Sequence, residues 1–359
     1  MRSIWLPDPG PFFDQLAHGQ VFDRAPAVTL TDGLAASHQA IVGDRLRLPL
    51  DRHLSAAVTG GALAHPGLVT DVAIGQSTLV TRHVKANLFY RGLRFRHFPR
   101  IGDTLATRTE VVGLKRNRLT PGRPATGLAA LRMTTTDQSG RTVLDFHRCA
   151  MLPLAPGADP HAAAHADDLS DVGVAPSAST ARTTQAGWDV AAYRAAVPGA
   201  DDPLPAPGTV LRPGSDVVTS APELARLTGN IAEIHHDFRA AGGERLVYGG
   251  HTIGLALAQA TRALPAMLTV LGWRSCDHTG PVREGDTLSS EVIIGEAVPL
   301  DGGGTALEIR SLVRTHRPRA HRPGAHHASG AGGEDGEGGE GGDASGEPVL
   351  DWSFAALMP

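Results

Sequence analysis

The sequence predicts an α+β fold laid down twice, each copy a central apolar helix wrapped by a curved antiparallel sheet. Three observations carry this. First, blocks of sequence recur in one order. Gly67 and Gln76 of LAHPGLVTDVAIGQS (63–77) fall on Gly250 and Gln259 of LVYGGHTIGLALAQA (246–260), 183 residues later. Gly102-Asp103-Thr104-Leu105 falls on Gly285-Asp286-Thr287-Leu288 at the same offset, and TVLDFHRCAMLP (142–153) matches PVLDWSFAALMP (348–359). Conserved order with small changes of spacing is what loop insertions leave in a tandem duplication. Second, each half places one long apolar stretch ahead of several segments of period-2 alternation, which is a helix followed by a strand meander. Third, 359 residues at 41% apolar content supply enough material for two cores.

In chain order, the first half (1–153) opens with a strand over VFDRAPAVTL (21–30). Thr31-Asp32 then caps a helix, because their side-chain oxygens accept from the unpaired N–H groups of a first turn. A glycine turn at Gly43 leads to the central helix, 68–81, and then to strands LFYRGLRFRHF, TLATRTEVVGLKR, TGLAALRMTTTD and TVLDFHRCAML. A linker, 154–200, carries a short helix over WDVAAYRAA (188–196). The second half (201–359) repeats the order with a strand over TVLRPGSDVV (209–218), a cap at Thr219-Ser220, a turn at Gly229 and a helix over 251–263. That helix is apolar on most sides, so it belongs inside the sheet rather than on it. A His/Arg/Pro and then Gly/acid tract, about 317–346, separates the last two strands. Its composition buries too little apolar surface to offset its chain entropy, which predicts a disordered insert.

Composition excludes several functions. Of the net charge of −4, five negative charges (Glu334, Asp335, Glu337, Glu340, Asp343) sit in 330–346, so the remainder is close to neutral. A duplex nucleic-acid binder needs a basic face that this chain lacks. No run of 18 apolar residues is long enough for a membrane span, and MRSIWLPDPGPFFDQL lacks the layout of a secretory signal. Cys149 and Cys276 alone cannot build a disulfide framework or a thiolate metal site, which points to the cytoplasm. His316, His321, His326 and His327 read as part of a solvated loop rather than a metal tract.

Chemistry concentrates in TGNIAEIHHDFRAAGGERLVYGGHTIGLALA (228–258). Thr228-Gly229-Asn230, His235, Asp237 and the helix-opening Gly250 stand at the spacing of a known hydratase motif. The segment resembles the MaoC-like, (R)-specific enoyl-CoA hydratase family. Two copies in one chain resemble its double-hotdog branch, and YGGHTIGLA with VREGDTL downstream is most similar to the mesaconyl-CoA (2-methylfumaryl-CoA) hydratases. The resemblance implies a tandem hotdog fold and reversible hydration of an enoyl-CoA, with an acyl-CoA as the partner molecule, no cofactor and a homodimeric assembly. It also implies catalytic roles for His235, Asn230 and Gly250.

The reaction accounts for those residue types. Adding water to an α,β-unsaturated thioester puts negative charge on the thioester oxygen, which backbone N–H groups at a helix N-terminus stabilise. A histidine, with a pKa near neutrality, moves the proton. Tyr248, Gly249 and His251 flank the oxyanion position, and Arg96 offers a cation to the CoA phosphates or to a substrate carboxylate; Arg45 is a second such cation. The sequence departs from the family at Asn230, where a carboxylate is usual: an amide orients water but takes no proton. His235 then acts alone, or Glu233, Asp237 or Asp44 substitutes. Asp44 occupies the matching place in the first half, but Pro49 stands where the histidine belongs, so the first half is expected to be the non-catalytic one. Hydration competes with two alternatives on these residues, an acyl-CoA-binding subunit without hydratase activity and a thioesterase.

Overall fold

The computed structural model describes residues 10–161, 165–174, 187–317 and 346–359. The first half contributes β1 (Val21–Phe22), β2 (Val28–Thr29), β3 (Ala86–Phe95), β4 (Thr104–Arg116), β5 (Thr126–Thr136) and β6 (Thr142–Pro153). The second contributes β7 (Val210–Leu211), β8 (Ser215–Val217), β9 (Thr269–His278), β10 (Thr287–Pro299), β11 (Thr305–His316) and β12 (Glu347–Met358). All twelve join one antiparallel sheet in the order β1-β4-β5-β6-β3-β9-β12-β11-β10-β7, with β2 also on β4 and β8 on β10. Counted outward from its middle, β3-β6-β5-β4 and β9-β12-β11-β10 are the same series of connections. The repeat in the sequence is therefore a repeat in topology. The two copies meet where β3 pairs with β9, through Phe89 with Asp277, Tyr90 with Cys276 and Leu93 with Trp273.

Seven helices are described: α1 (Asp32–Val42), α2 (Arg47–Leu50), α3 (Arg52–Thr59), α4 (Pro66–Gln76), α5 (Val190–Ala196), α6 (Ala221–Leu227) and α7 (Gly249–Ala263). The central pair, α4 and α7, is buried along almost every residue, as their all-round apolarity requires. One glutamine in each ties helix to sheet. Gln76 Nε2 donates to the carbonyls of Pro26 and Leu105, both at 2.9 Å, and its oxygen accepts from Thr107. Gln259 Nε2 donates to Leu288 O at 2.9 Å and to Asp216, while Ser290 donates to its oxygen. Leu105 and Leu288 are themselves 183 residues apart, so the duplicated glutamine meets a duplicated carbonyl.

Differences from the sequence expectation have local causes. The strands expected over 21–30 and 209–218 each break into two short pieces, around Pro26 and around Pro213-Gly214, where a ladder donor is missing or the chain turns. The central helix expected at 68–81 begins at Pro66 and ends at Gln76, followed by a 3-10 turn, Ser77–Leu79. Thr31 caps α1 as expected, accepting from Leu34 N at 3.1 Å. Ser220 does not cap α6: it is left-handed (φ 60°), and no side-chain bond is made there. Gly43 and Gly229 both take positive φ, 65° and 68°, as a turn into a functional loop requires. The insert expected at about 317–346 falls almost wholly outside the described residues, as do His321, His326 and His327. The strands flanking it, β11 and β12, pair out to Thr315 with Glu347. Among the described residues no helix is long and apolar enough to cross a membrane.

Candidate active site

A cavity of about 360 Å³ opens at the N-terminus of α7 and draws its walls from both halves. From the second half come Asn230, His235, Tyr248, Gly249 and His278; from the first come Thr78, Asn87, Tyr90 and Arg148. The turn carrying the motif is clamped against the first half. Thr78 Oγ1 accepts from Ile231 N at 3.0 Å, and any Cβ at Gly75 of α4 would collide with the Thr228 carbonyl.

His235 closes a 3-10 turn, Glu233–His235, and its Nδ1 lies 2.9 Å from the Leu246 carbonyl. A carbonyl only accepts, so Nδ1 carries the hydrogen and Nε2 of the neutral ring is left as an acceptor. Burial lowers the His235 pKa to about 4; the Leu246 carbonyl opposes this, and the neighbouring His236 and the Arg148 guanidinium reinforce it. The ring is therefore neutral near pH 7. Asn230 is almost fully buried, and its Oδ1 accepts from Ala232 N at 3.0 Å, which leaves the amide nitrogen as the group offered to the cavity. His236 Nε2 donates to the Asn230 carbonyl at 2.6 Å and holds the turn from outside.

Tyr248 and Gly249 line the cavity; Gly250, one residue on, does not. Gly250 instead lies against Asp71 and the Tyr248 ring, with no room for a Cβ. The Tyr248 hydroxyl donates to Asp71 Oδ1 at 3.0 Å, so a first-half carboxylate fixes a second-half aromatic beside His235. His251 lies outside the cavity, fully buried with neither ring nitrogen hydrogen-bonded, and burial pushes its pKa down to about 4. Arg96 is also outside. Strand alternation turns Phe95 inward and Arg96 out, where it is half exposed and 4.0 Å from Asp145. Arg45 is exposed and distant from this cavity as well.

None of the three acids suggested as substitutes lines the cavity. Glu233 pairs with Arg82 and His83, and Asp237 is clasped by Arg239, which holds it at about 2. Asp44 sits in the first half with its own histidine: His65, the residue before α4, lies 2.9 Å from it. The expectation that Pro49 leaves Asp44 without a histidine partner is corrected there, because His65 arrives from a different element. Among the described residues the cavity wall carries no carboxylate, and its charged side chains are Arg148 and Lys85.

Arg148, Asn87 and His278 are among the wall residues that escaped sequence reasoning, with Thr78 and Tyr90. His278 packs against Gly249, where a Cβ would fall 2.7 Å from its Cε1, and burial, aided by Arg148 and His235, lowers it to about 4. The repeat held a signal for Arg148, which matches Phe354 in the duplicated block, a cation against an aromatic. The structure shows what that exchange does. At the corresponding place in the first half only about 20 Å³ remains, walled by Pro66, Trp273 and Trp352, and Trp352 stacks on Phe354 at 3.9 Å. One pocket is open and its counterpart is filled. Among the described residues no group of side chains is placed to hold a metal ion.

No protein-family model matches the chain. It is 27% identical to β-methylmalyl-CoA dehydratase of Chloroflexus aurantiacus, over 98% of each protein. It is also 27% identical to mesaconyl-CoA hydratase of Cereibacter sphaeroides, over 86% of this chain and 90% of that one. Among solved structures, a conserved hypothetical protein of Mycobacterium tuberculosis with a double hotdog fold is 54% identical over 98% of this chain and 99% of its own, with a TM-score of 0.84. A putative MaoC domain dehydratase from Chloroflexus aurantiacus is 25% identical over 98% of each chain, with a TM-score of 0.78. With the duplicated topology, the helix-end cavity and these likenesses in hand, the chain belongs to the double-hotdog proteins and is similar to the MaoC-like dehydratases among them.

Proposed function

We propose that this protein is a hydro-lyase that reversibly adds water across the double bond of an enoyl-CoA thioester, with mesaconyl-CoA converted to β-methylmalyl-CoA as its reaction. The observation that carries the reading is a neutral imidazole, His235, with its Nε2 free as an acceptor in a cavity that also holds the Asn230 amide and the start of α7. The names of the two curated relatives support it.

In this reading Asn230 donates to a water and His235 Nε2 accepts one of its protons. The water oxygen bonds to the β-carbon, and the electron pair of the double bond moves to the α-carbon as an enolate. The enolate oxygen lies at the N-terminus of α7, where the first backbone N–H groups lack intrahelical partners and the helix dipole favours negative charge. The imidazolium returns its proton to the α-carbon, so the histidine ends as it began. A single imidazole serves both directions, because the cavity wall offers no acid beside it.

The test follows the absorbance of the enoyl thioester with free thiol measured in parallel. Loss of absorbance without thiol release supports hydration. Thiol release makes the protein a thioesterase, and binding without either change makes it a non-catalytic acyl-CoA carrier.

A further inference from the structure

Arg148 lies on β6 with 3% of its surface exposed, and it lines the open cavity. Its hydrogen-bond partners are all neutral. Nε donates to Asn87 Oδ1 at 3.1 Å, Nη1 to Ser77 Oγ at 2.9 Å and Nη2 to Thr81 Oγ1 at 3.3 Å. Among the described residues no carboxylate pairs with it, although most arginines given an ion pair here have theirs at the surface. A buried cation without a counter-charge is costly to maintain, and a protein keeps one where an anion arrives from outside. A guanidinium has five N–H bonds, of which three are used, so one remains on each Nη, and a planar guanidinium suits a carboxylate. Beside it the Asn87 Nδ2 is buried with no acceptor. Both residues line the cavity. Lys85, the other cation of the lining, is solvent-exposed, with its Nζ 3.5 Å from the Ala240 carbonyl. In the filled counterpart the matching residue is Phe354, so the charge is a property of the open site alone.

We infer that Arg148 is the residue that selects the substrate: with Asn87, it binds the free carboxylate of a dicarboxylic acid esterified to CoA at its other end. This rests on the hydratase reading above and adds the group that recognises the acyl chain. In a four-carbon acyl group the free carboxylate is bonded directly to the carbon that takes the water, so base and cation must share one small cavity. They do. A substrate lacking the carboxylate leaves the guanidinium unpaired, and such sites reject the lacking analogue strongly.

The experiment compares mesaconyl-CoA with tiglyl-CoA, in which a methyl group replaces that carboxylate on the same branched skeleton, using the wild-type chain and Arg148→Met. The wild type is expected to favour mesaconyl-CoA by at least about a hundredfold in kcat/KM. Arg148→Met is expected to lose mesaconyl-CoA turnover far more than tiglyl-CoA turnover, collapsing the ratio toward one. Arg148→Lys, which keeps the charge without the planar fork, should fall between. A wild-type ratio near one, or a ratio unchanged by Arg148→Met, overturns the assignment while leaving hydration standing. Should Arg148→Met fail to fold, as judged by circular dichroism, Arg148→Lys decides: a lowered ratio supports the assignment and a ratio equal to wild type overturns it. Failure of the wild type to hydrate either thioester removes the hydratase reading itself, and this assignment with it.

Discussion

His235 is set up by the direction of one hydrogen bond. With Nδ1 committed to the Leu246 carbonyl and burial holding the ring at about 4, the proton-accepting nitrogen faces the cavity across the neutral range. His235→Ala should therefore lower kcat by ~10²–10⁴-fold, the range of a general acid/base, with substrate binding little changed in an equilibrium titration. The sign of the pH effect follows: a base with a depressed pKa stays competent as pH falls, so kcat/KM should hold level from pH 8 to below 6. Asn230→Asp places a carboxylate beside the imidazole, favours its charged form and should move the acid limb of that profile upward. A limb that stays in place would show that position 230 does not face His235. Asn230 and His235 were legible in the sequence because one contiguous turn carries them both. Arg148, Asn87 and His278 were not, since each reaches the cavity from a different strand, and only the mismatch of Arg148 with Phe354 hinted at it. The arginines that looked available, Arg45 and Arg96, are both exposed and line no part of this cavity, Arg45 on the turn before α2 and Arg96 just past the end of β3.

Among the elements, the central helices and the long strands were legible within a few residues, because their apolar periodicity reports a burial that the sheet imposes. The short edge strands were not, since prolines there interrupt pairing that propensity favours. The first-half turn shows a similar gap. Asp44 is fully buried between His65 and the Leu46 N–H, from which it accepts at 2.7 Å, so it holds the entry to α4. Asp44→Asn should lower stability by about 2 kcal/mol, read as a fall in the urea midpoint, while kcat stays near wild type. A stable but inactive variant would move the chemistry to the first half. The β11–β12 ladder gives a second prediction at this scale. Its residues pair out to Thr315 and Glu347, whereas β5 and β6 need only the turn at 137–141. Deleting 320–345 should leave the melting temperature within a few degrees, because closure entropy changes by only ~0.6 kcal/mol per doubling of loop length.

At the scale of the whole molecule, the buried imidazoles make stability depend on acid. His235, His251 and His278 are each lowered to about 4 by burial, against an ordinary 6.5 in the unfolded chain. Between those values the unfolded chain binds protons that the native state refuses, so stability is complete above pH 6.5 and drains away as pH falls toward 4. About 1 kcal/mol or more per imidazole is at stake by pH 5. The melting temperature should therefore drop clearly from pH 7 to pH 5, and His251→Phe, which removes a buried ring without partners, should lessen that drop. An unchanged pH slope in that variant would show that His251 is not kept neutral by its burial.

The seam between β3 and β9 has a further consequence. Asn87 and Tyr90 stand on one side of it and His278 on the other, so the walls of the candidate chamber are stitched together by a ladder inside a single polypeptide. Where two separate chains would have to find one another before such a chamber existed, here the encounter is settled at translation. Dilution cannot take the chamber apart, and the two copies, no longer required to be identical, were free to diverge until one kept an arginine and the other a stack of aromatic rings.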